Sequence, residues 1–119
     1  MDVVTKDVKR LVRKELANAN RNFRMFASPH EGWAVIREEM QEAETEMILL
    51  KAQIDPYFWN CVRANKSIPK DELKQVFNLA VRLAVEAIQC AAMVLKYERG
   101  QRRGWPGGKE PEHGEEKQL

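Results

Sequence analysis

The residues best placed to do chemistry are carboxylates. Glu38, Glu39, Glu42 and Glu46 recur along one stretch of helical periodicity, and at about 100° per residue they fall within an arc of roughly 100°. That arc borders the apolar stripe of the same helix. Like charges one turn apart repel by a few tenths of a kcal/mol per pair, so the cluster weakens its helix unless a cation or basic partner offsets the repulsion. The plainer reading is a solvated acidic face.

A second polar pair makes the plainer reading less comfortable. From Leu83 to Leu95 the only polar side chains are Glu86 and Gln89, three apart in a run that is otherwise apolar nearly all round. Such a run reads as a buried helix, in which a glutamate is costly unless paired. It could be a structural group bonded to Arg82 or to a lysine of the first helix. Alternatively, Glu39 and Glu42 face Glu86 and Gln89 inside a bundle. Carboxylates projected inward from facing helices make a hard oxygen site suited to Mg²⁺ or Mn²⁺, and Mg²⁺ commonly completes its shell with substrate phosphates.

The elements that must position these residues are all helical. Apolar residues at three- and four-residue steps give a first helix from Asp2 to about Asn18, followed by a connector to Ala27. Ser28-Pro29-His30-Glu31 is a helix start: serine caps, proline suits the first turn and the glutamate sits where a capping box places its acid. The stripe Trp33, Ile36, Met40, Ala43, Met47, Leu50 and Ile54 then requires a packing partner, until Asp55-Pro56 interrupts it. Pro69 opens a long helix that Gly100 is expected to stop. The expected organisation is one all-α domain over 1–99, with a flexible tail over 100–119 in which Trp105 is a stray aromatic.

Composition narrows the classes further. The 119 residues are 44% hydrophobic, enough for one modest core. With 20 basic and 18 acidic residues, a net charge of +2 disfavours nucleic acid as a partner, despite Lys9, Arg10, Arg13 and Lys14 in the first helix. A charged first turn and the lack of roughly 20 uninterrupted apolar residues lead us to expect a cytoplasmic protein with no membrane partner. Cys61 and Cys90 have neither disulfide nor zinc spacing and read as packing residues. His30, in a helix first turn with no nucleophile in view, reads as a capping or surface residue.

The segment from Ser28 to Glu42, ending Glu38-Glu39-Met40-Gln41-Glu42, resembles the EExxE helix of the MazG-like, all-α nucleoside triphosphate pyrophosphohydrolases. Glu86-Ala87-Ile88-Gln89 resembles a variant of their ExxD helix. The resemblance implies a helical bundle of three to five helices, completed as a homodimer or homotetramer, that binds Mg²⁺ (or Mn²⁺) and hydrolyses a nucleotide to its monophosphate and pyrophosphate. By position it makes Glu39, Glu42 and Glu86 metal ligands, with Gln89 as a neutral oxygen where the family has an aspartate. Glu38 or Glu42 would orient or deprotonate the attacking water, and Arg21, Arg24 and Arg82 are the candidates for phosphate contacts, with Lys96 further along. An inactive relative, kept as a nucleotide-binding or protein-interaction module, is the alternative that Gln89 leaves open.

Overall fold

The computed structural model describes residues 2–106. Those residues are helical, with no strand among them: α1 (Asp2–Asn22), α2 (Pro29–Ala52), a π-helical turn (Gln53–Phe58), α3 (Trp59–Arg63) and α4 (Lys70–Arg103). They divide into two compact units. One contains residues up to Glu39 and from Ile88 onward; the other is Met40–Ala87.

In the first unit, α1 turns Val12 and Leu16, one turn apart, into a core that also holds Phe26, Ala92 and Met93. The helix runs four residues beyond the expected end near Asn18. Asn22 Nδ2 donates to the carbonyl of Asn18 (3.0 Å) and the Phe23 amide to that of Ala19 (2.8 Å), so the asparagines are absorbed by the last turn. At the start of α2, Ser28 Oγ accepts from the Glu31 amide (3.1 Å), as the capping pattern predicts. The Glu31 carboxylate reaches back one residue further than a standard box, accepting from the Ala27 amide (3.2 Å). Gly32 is required by packing, since a Cβ there would lie 2.5 Å from Cδ2 of Tyr97.

Gly100 does not stop α4, as its residue type suggested; it lies buried within the helix, which continues to Arg103. The stop is Gly104, at φ 77°, where a left-handed residue costs glycine nothing. Around it the Gly104 amide bonds the Gln101 carbonyl (3.2 Å) and the Trp105 amide bonds the Gly100 carbonyl (3.1 Å), the paired bonds of a Schellman cap. Trp105 is therefore part of the unit and not a stray aromatic. Its ring packs edge-on against Tyr97 (centroids 5.0 Å, 72°) and lies directly over Gly100, where any Cβ would collide with it. The rest of the expected tail, from residue 107, lies outside the described residues.

In the Met40–Ala87 unit, Pro56 does not end the helical path. Proline lacks an amide and crowds the carbonyl four residues back, and the chain answers by widening to a π turn in which the Trp59 amide bonds Ile54, five residues earlier. A second Schellman cap closes α3, with Asn65 at φ 56° and the Lys66 amide on the Cys61 carbonyl (2.9 Å).

No described residue of this unit is fully buried. Half-buried positions follow three- and four-residue steps: Ala43, Glu46, Leu50 and Gln53 on the α2 path, and Glu72, Val76, Leu79, Leu83 and Glu86 on α4. This pattern corrects the expected stripe. Ile36, in the first unit, and Ala43 and Leu50, in the second, turn partly inward, while Trp33, Met40, Met47 and Ile54 stay exposed. The expected burial of Leu83–Leu95 is likewise confined to Ala92 and Met93. By length and composition alone α4 is apolar enough to cross a membrane, and little of it is buried within the chain.

The Trp105 latch yields a sign reversal. Gly→Ala inside a helix normally gains up to about 1 kcal/mol, but Gly100→Ala in the native chain is expected to lower the thermal midpoint because Trp105 occupies the space. In a Trp105→Ala background the same change should raise it. Thermal unfolding of the four chains of this cycle, followed by circular dichroism, measures both signs.

Candidate metal centre

Within the Met40–Ala87 unit, α2 and α4 meet in an antiparallel ladder. Arg82 donates to Glu46 Oε1 at 2.9 Å, and one turn along, carboxylate oxygens of Glu86 and Glu42 lie within 4.8 Å of one another. Residues of successive rungs are four apart on each helix, so one register places both. The charge of Glu39 also bears on the Cys90 thiol; burial first, and then that charge, push the thiol's pKa up.

Carboxylate oxygens of Glu42 and Glu86 lie within 4.8 Å of one another, as do those of Glu39 and Glu42, which sit three apart on α2. Two oxygens held by one Mg²⁺ at about 2.1 Å can be no more than ~4.2 Å apart, so only a small rotamer adjustment separates this arrangement from a ligand set. The donor chemistry fits a hard divalent cation. Glu86 Oε2 and Glu46 Oε2 are both shielded from solvent without a hydrogen-bond partner among the described residues. Acceptors in that condition are costly, and a cation would satisfy them.

The Glu86 pKa is raised above the ordinary carboxylate value. Burial is the largest cause, followed by the close approach and negative charge of Glu42 and the charge of Glu46, against a smaller opposing pull from Arg82. Two carboxyl groups this close favour a proton on one of them or a cation beside them, and the raised Glu86 pKa points the same way.

The other expected site residues are dispersed. Glu38 is exposed on α2 and Gln89 is half-buried on α4. Arg21 is exposed in the last turn of α1. Arg24 is held by the Glu31 carboxylate at 2.9 Å, and so serves the start of α2. Lys96 is 2% exposed with Nζ 4.9 Å from the Phe26 ring centroid, enclosed in the core rather than open to a phosphate. Of the three arginines only Arg82 borders the carboxylates, and its partner is Glu46 rather than Glu86. Sequence reasoning misses that pairing, although the equal spacing of 42/46 and 82/86 carries the signal.

Comparisons of the chain with protein families, with curated proteins and with solved structures find no match.

Because the Glu86 pKa is raised in the folded state, that state binds more protons than the unfolded chain from about pH 4.5 up to the raised pKa, and stability falls as pH rises through that window. Without metal, Glu86→Gln should flatten the fall, because an amide donates to Glu42 without a titrating proton. It should also raise stability at pH 7 by up to about 1 kcal/mol. Urea unfolding between about pH 4 and pH 8 measures both effects.

Proposed function

We propose that the chain is a Mg²⁺-dependent nucleotide pyrophosphohydrolase that converts a ribo- or deoxynucleoside triphosphate to the monophosphate and pyrophosphate. The observation that carries the reading is the Glu42 and Glu86 pair, two carboxyl groups with oxygens within 4.8 Å of one another that a cation between them would stabilise. The resemblance of α2 and of the segment from Glu86 to Gln89 to the EExxE and ExxD helices of MazG-like hydrolases supports the same chemistry.

In this reading Glu39, Glu42 and Glu86 hold the metal and Gln89 contributes a neutral amide oxygen. Bound Mg²⁺ supplies charge neutralisation on the phosphate oxygens. Glu38 or Glu42 orients a water and takes its proton as the water oxygen bonds to the α-phosphorus. The bond from that phosphorus to the bridging oxygen breaks, and pyrophosphate leaves with the bond's electron pair. Arg82, already beside the carboxylates, is the first candidate for a phosphate contact once released from Glu46. Arg21 and Arg24 are weaker candidates, Arg24 being committed to Glu31. A cytoplasmic nucleotide pool would supply the substrate.

A second reading, a helical nucleotide-binding or protein-interaction module without activity, is favoured by Gln89, where the resemblance calls for an aspartate. An amide in that position removes one negative charge from the ligand set.

Pyrophosphate release from a panel of nucleoside triphosphates with Mg²⁺ or Mn²⁺ tests the proposal. Release that Glu42→Gln and Glu86→Gln each lower by about 100-fold or more is expected, a loss of ~2.7 kcal/mol of transition-state stabilisation. The same metals should raise the native thermal midpoint and leave that of Glu86→Gln unmoved. Absence of release from every nucleotide, with no metal-induced shift, would sink the hydrolase reading and leave the module.

A further inference from the structure

A net charge near balance hides an uneven placement. Of the 20 basic and 18 acidic residues, α1 holds six basic and three acidic, so it carries the chain's whole positive excess and leaves the remainder slightly acidic. At about 100° per residue, Lys6, Arg10, Arg13, Lys14 and Arg21 fall within an arc of roughly 100° on α1, turned about 130° from the side that buries Val12 and Leu16. All five are exposed. No acid lies on the arc. Asp2 and Asp7 border it, and among the described residues only Arg10 of the five is in an ion pair, with Asp7. From Lys6 to Arg21 the row is about 22 Å long.

We propose that this basic face of α1 is a docking surface for double-stranded nucleic acid, holding the phosphate backbone of a duplex without reading its bases. The chain's net charge of +2 sets up no long-range field, so the face acts on contact. Cations one turn apart repel, and a duplex relieves that repulsion: it presents one negative charge per ~1.7 Å and releases condensed counterions when cations replace them. The helix is accessible. Every residue from Asp2 to Leu11 is exposed, so about 15 Å of α1 stands bare on all sides, and a helix of ~10–12 Å diameter fits the ~12 Å major groove. Arg10, Arg13 and Arg21 bring a planar fork that matches phosphate oxygens. The arc holds no asparagine or glutamine to pair with adenine edges and no aromatic ring to stack unpaired bases, which favours a duplex held through its backbone.

A lipid surface fits less well. The exposed apolar residues Val4, Val8 and Leu11 lie about 140° round α1 from the basic arc. Burying them in a bilayer would hold the cations on the far side of the helix, ~10 Å above the headgroups and about one Debye length away, where attraction is largely screened. The docking surface does not depend on the hydrolase reading, since α1 belongs to one unit and the Glu42 and Glu86 pair to the other.

Fluorescence anisotropy of a labelled DNA duplex of about 20 base pairs, titrated with the full chain, decides it. Binding is expected at about 50 mM NaCl with a Kd below about 100 µM, weakening roughly tenfold at about 100 mM, the dependence for about four phosphate contacts. Arg13→Gln with Lys14→Gln, and separately Lys6→Gln with Arg10→Gln, should each lower affinity by about tenfold or more and flatten the salt dependence, with helical circular dichroism unchanged; having both pairs guards against one of them failing to fold. Lys70→Gln with Lys74→Gln removes the same charge from exposed positions on α4 and should bind as the native chain does. Absence of binding at about 100 µM chain in the lower salt, equal weakening by the α4 pair, affinity indifferent to salt, or flotation with anionic phosphatidylserine vesicles in place of duplex binding would each overturn the proposal.

Discussion

Glu42 and Glu86 bring two carboxyl groups within 4.8 Å of one another, exposed Glu42 against half-buried Glu86, and like charges that close favour something positive beside them. The rest of the Met40–Ala87 unit answers to that constraint. The ladder that joins the two groups also sets Arg82 on Glu46, so the neighbouring rung carries a compensating charge at 2.9 Å. One cation among three acids reduces the repulsion without removing it. The seam thus favours an additional positive charge, a preference that the raised pKa of Glu86 expresses as proton affinity.

The first unit serves a different purpose. Val12, Leu16, Phe26, Ala92 and Met93 make its core, and two glycines let aromatic rings lie against helix backbone, Tyr97 on Gly32 and Trp105 on Gly100. Close ring-to-backbone packing gives a small core more contact per residue than aliphatic side chains alone would. Lys96 is the exception within it. Its burial lowers its pKa, and the nearby Glu31 charge acts the other way, so its ammonium keeps some electrostatic support beside the Phe26 ring.

Helix starts are legible because capping is local: Ser28 with Glu31, and Pro69, declare themselves within four residues. The end of α4 is not, because Gly100 resembles a stop, and only a ring five residues further on reveals it as a packing glycine. Glu39, Glu42 and Glu86 can be singled out from spacing and apolar context, and the chain does bring Glu42 and Glu86 together. Which apolar residues are covered is not legible. Hydrophobic spacing states a demand for burial, whereas Met40, Met47 and Ile54 show that a single neighbouring helix meets only part of it. Arg24 escapes the sequence reading for a related reason: charge type shows that an arginine seeks an acid, and Glu31 is nearer than any ligand.

The π turn at Gln53–Phe58 bears on how this chain can change in length. A wide turn holds one residue more than an α turn, so it works as a phase slip: the helical period read up to Ile54 does not carry on into α3, which starts again about 100° out of step. Loss of Pro56 together with that extra residue would restore the regular ladder and swing Trp59 and Val62 to a different side of the path while leaving the seam before Ala52 untouched. The proline thus sits in a wide turn that re-aims the segment beyond it, away from the carboxylates nearer the start of α2.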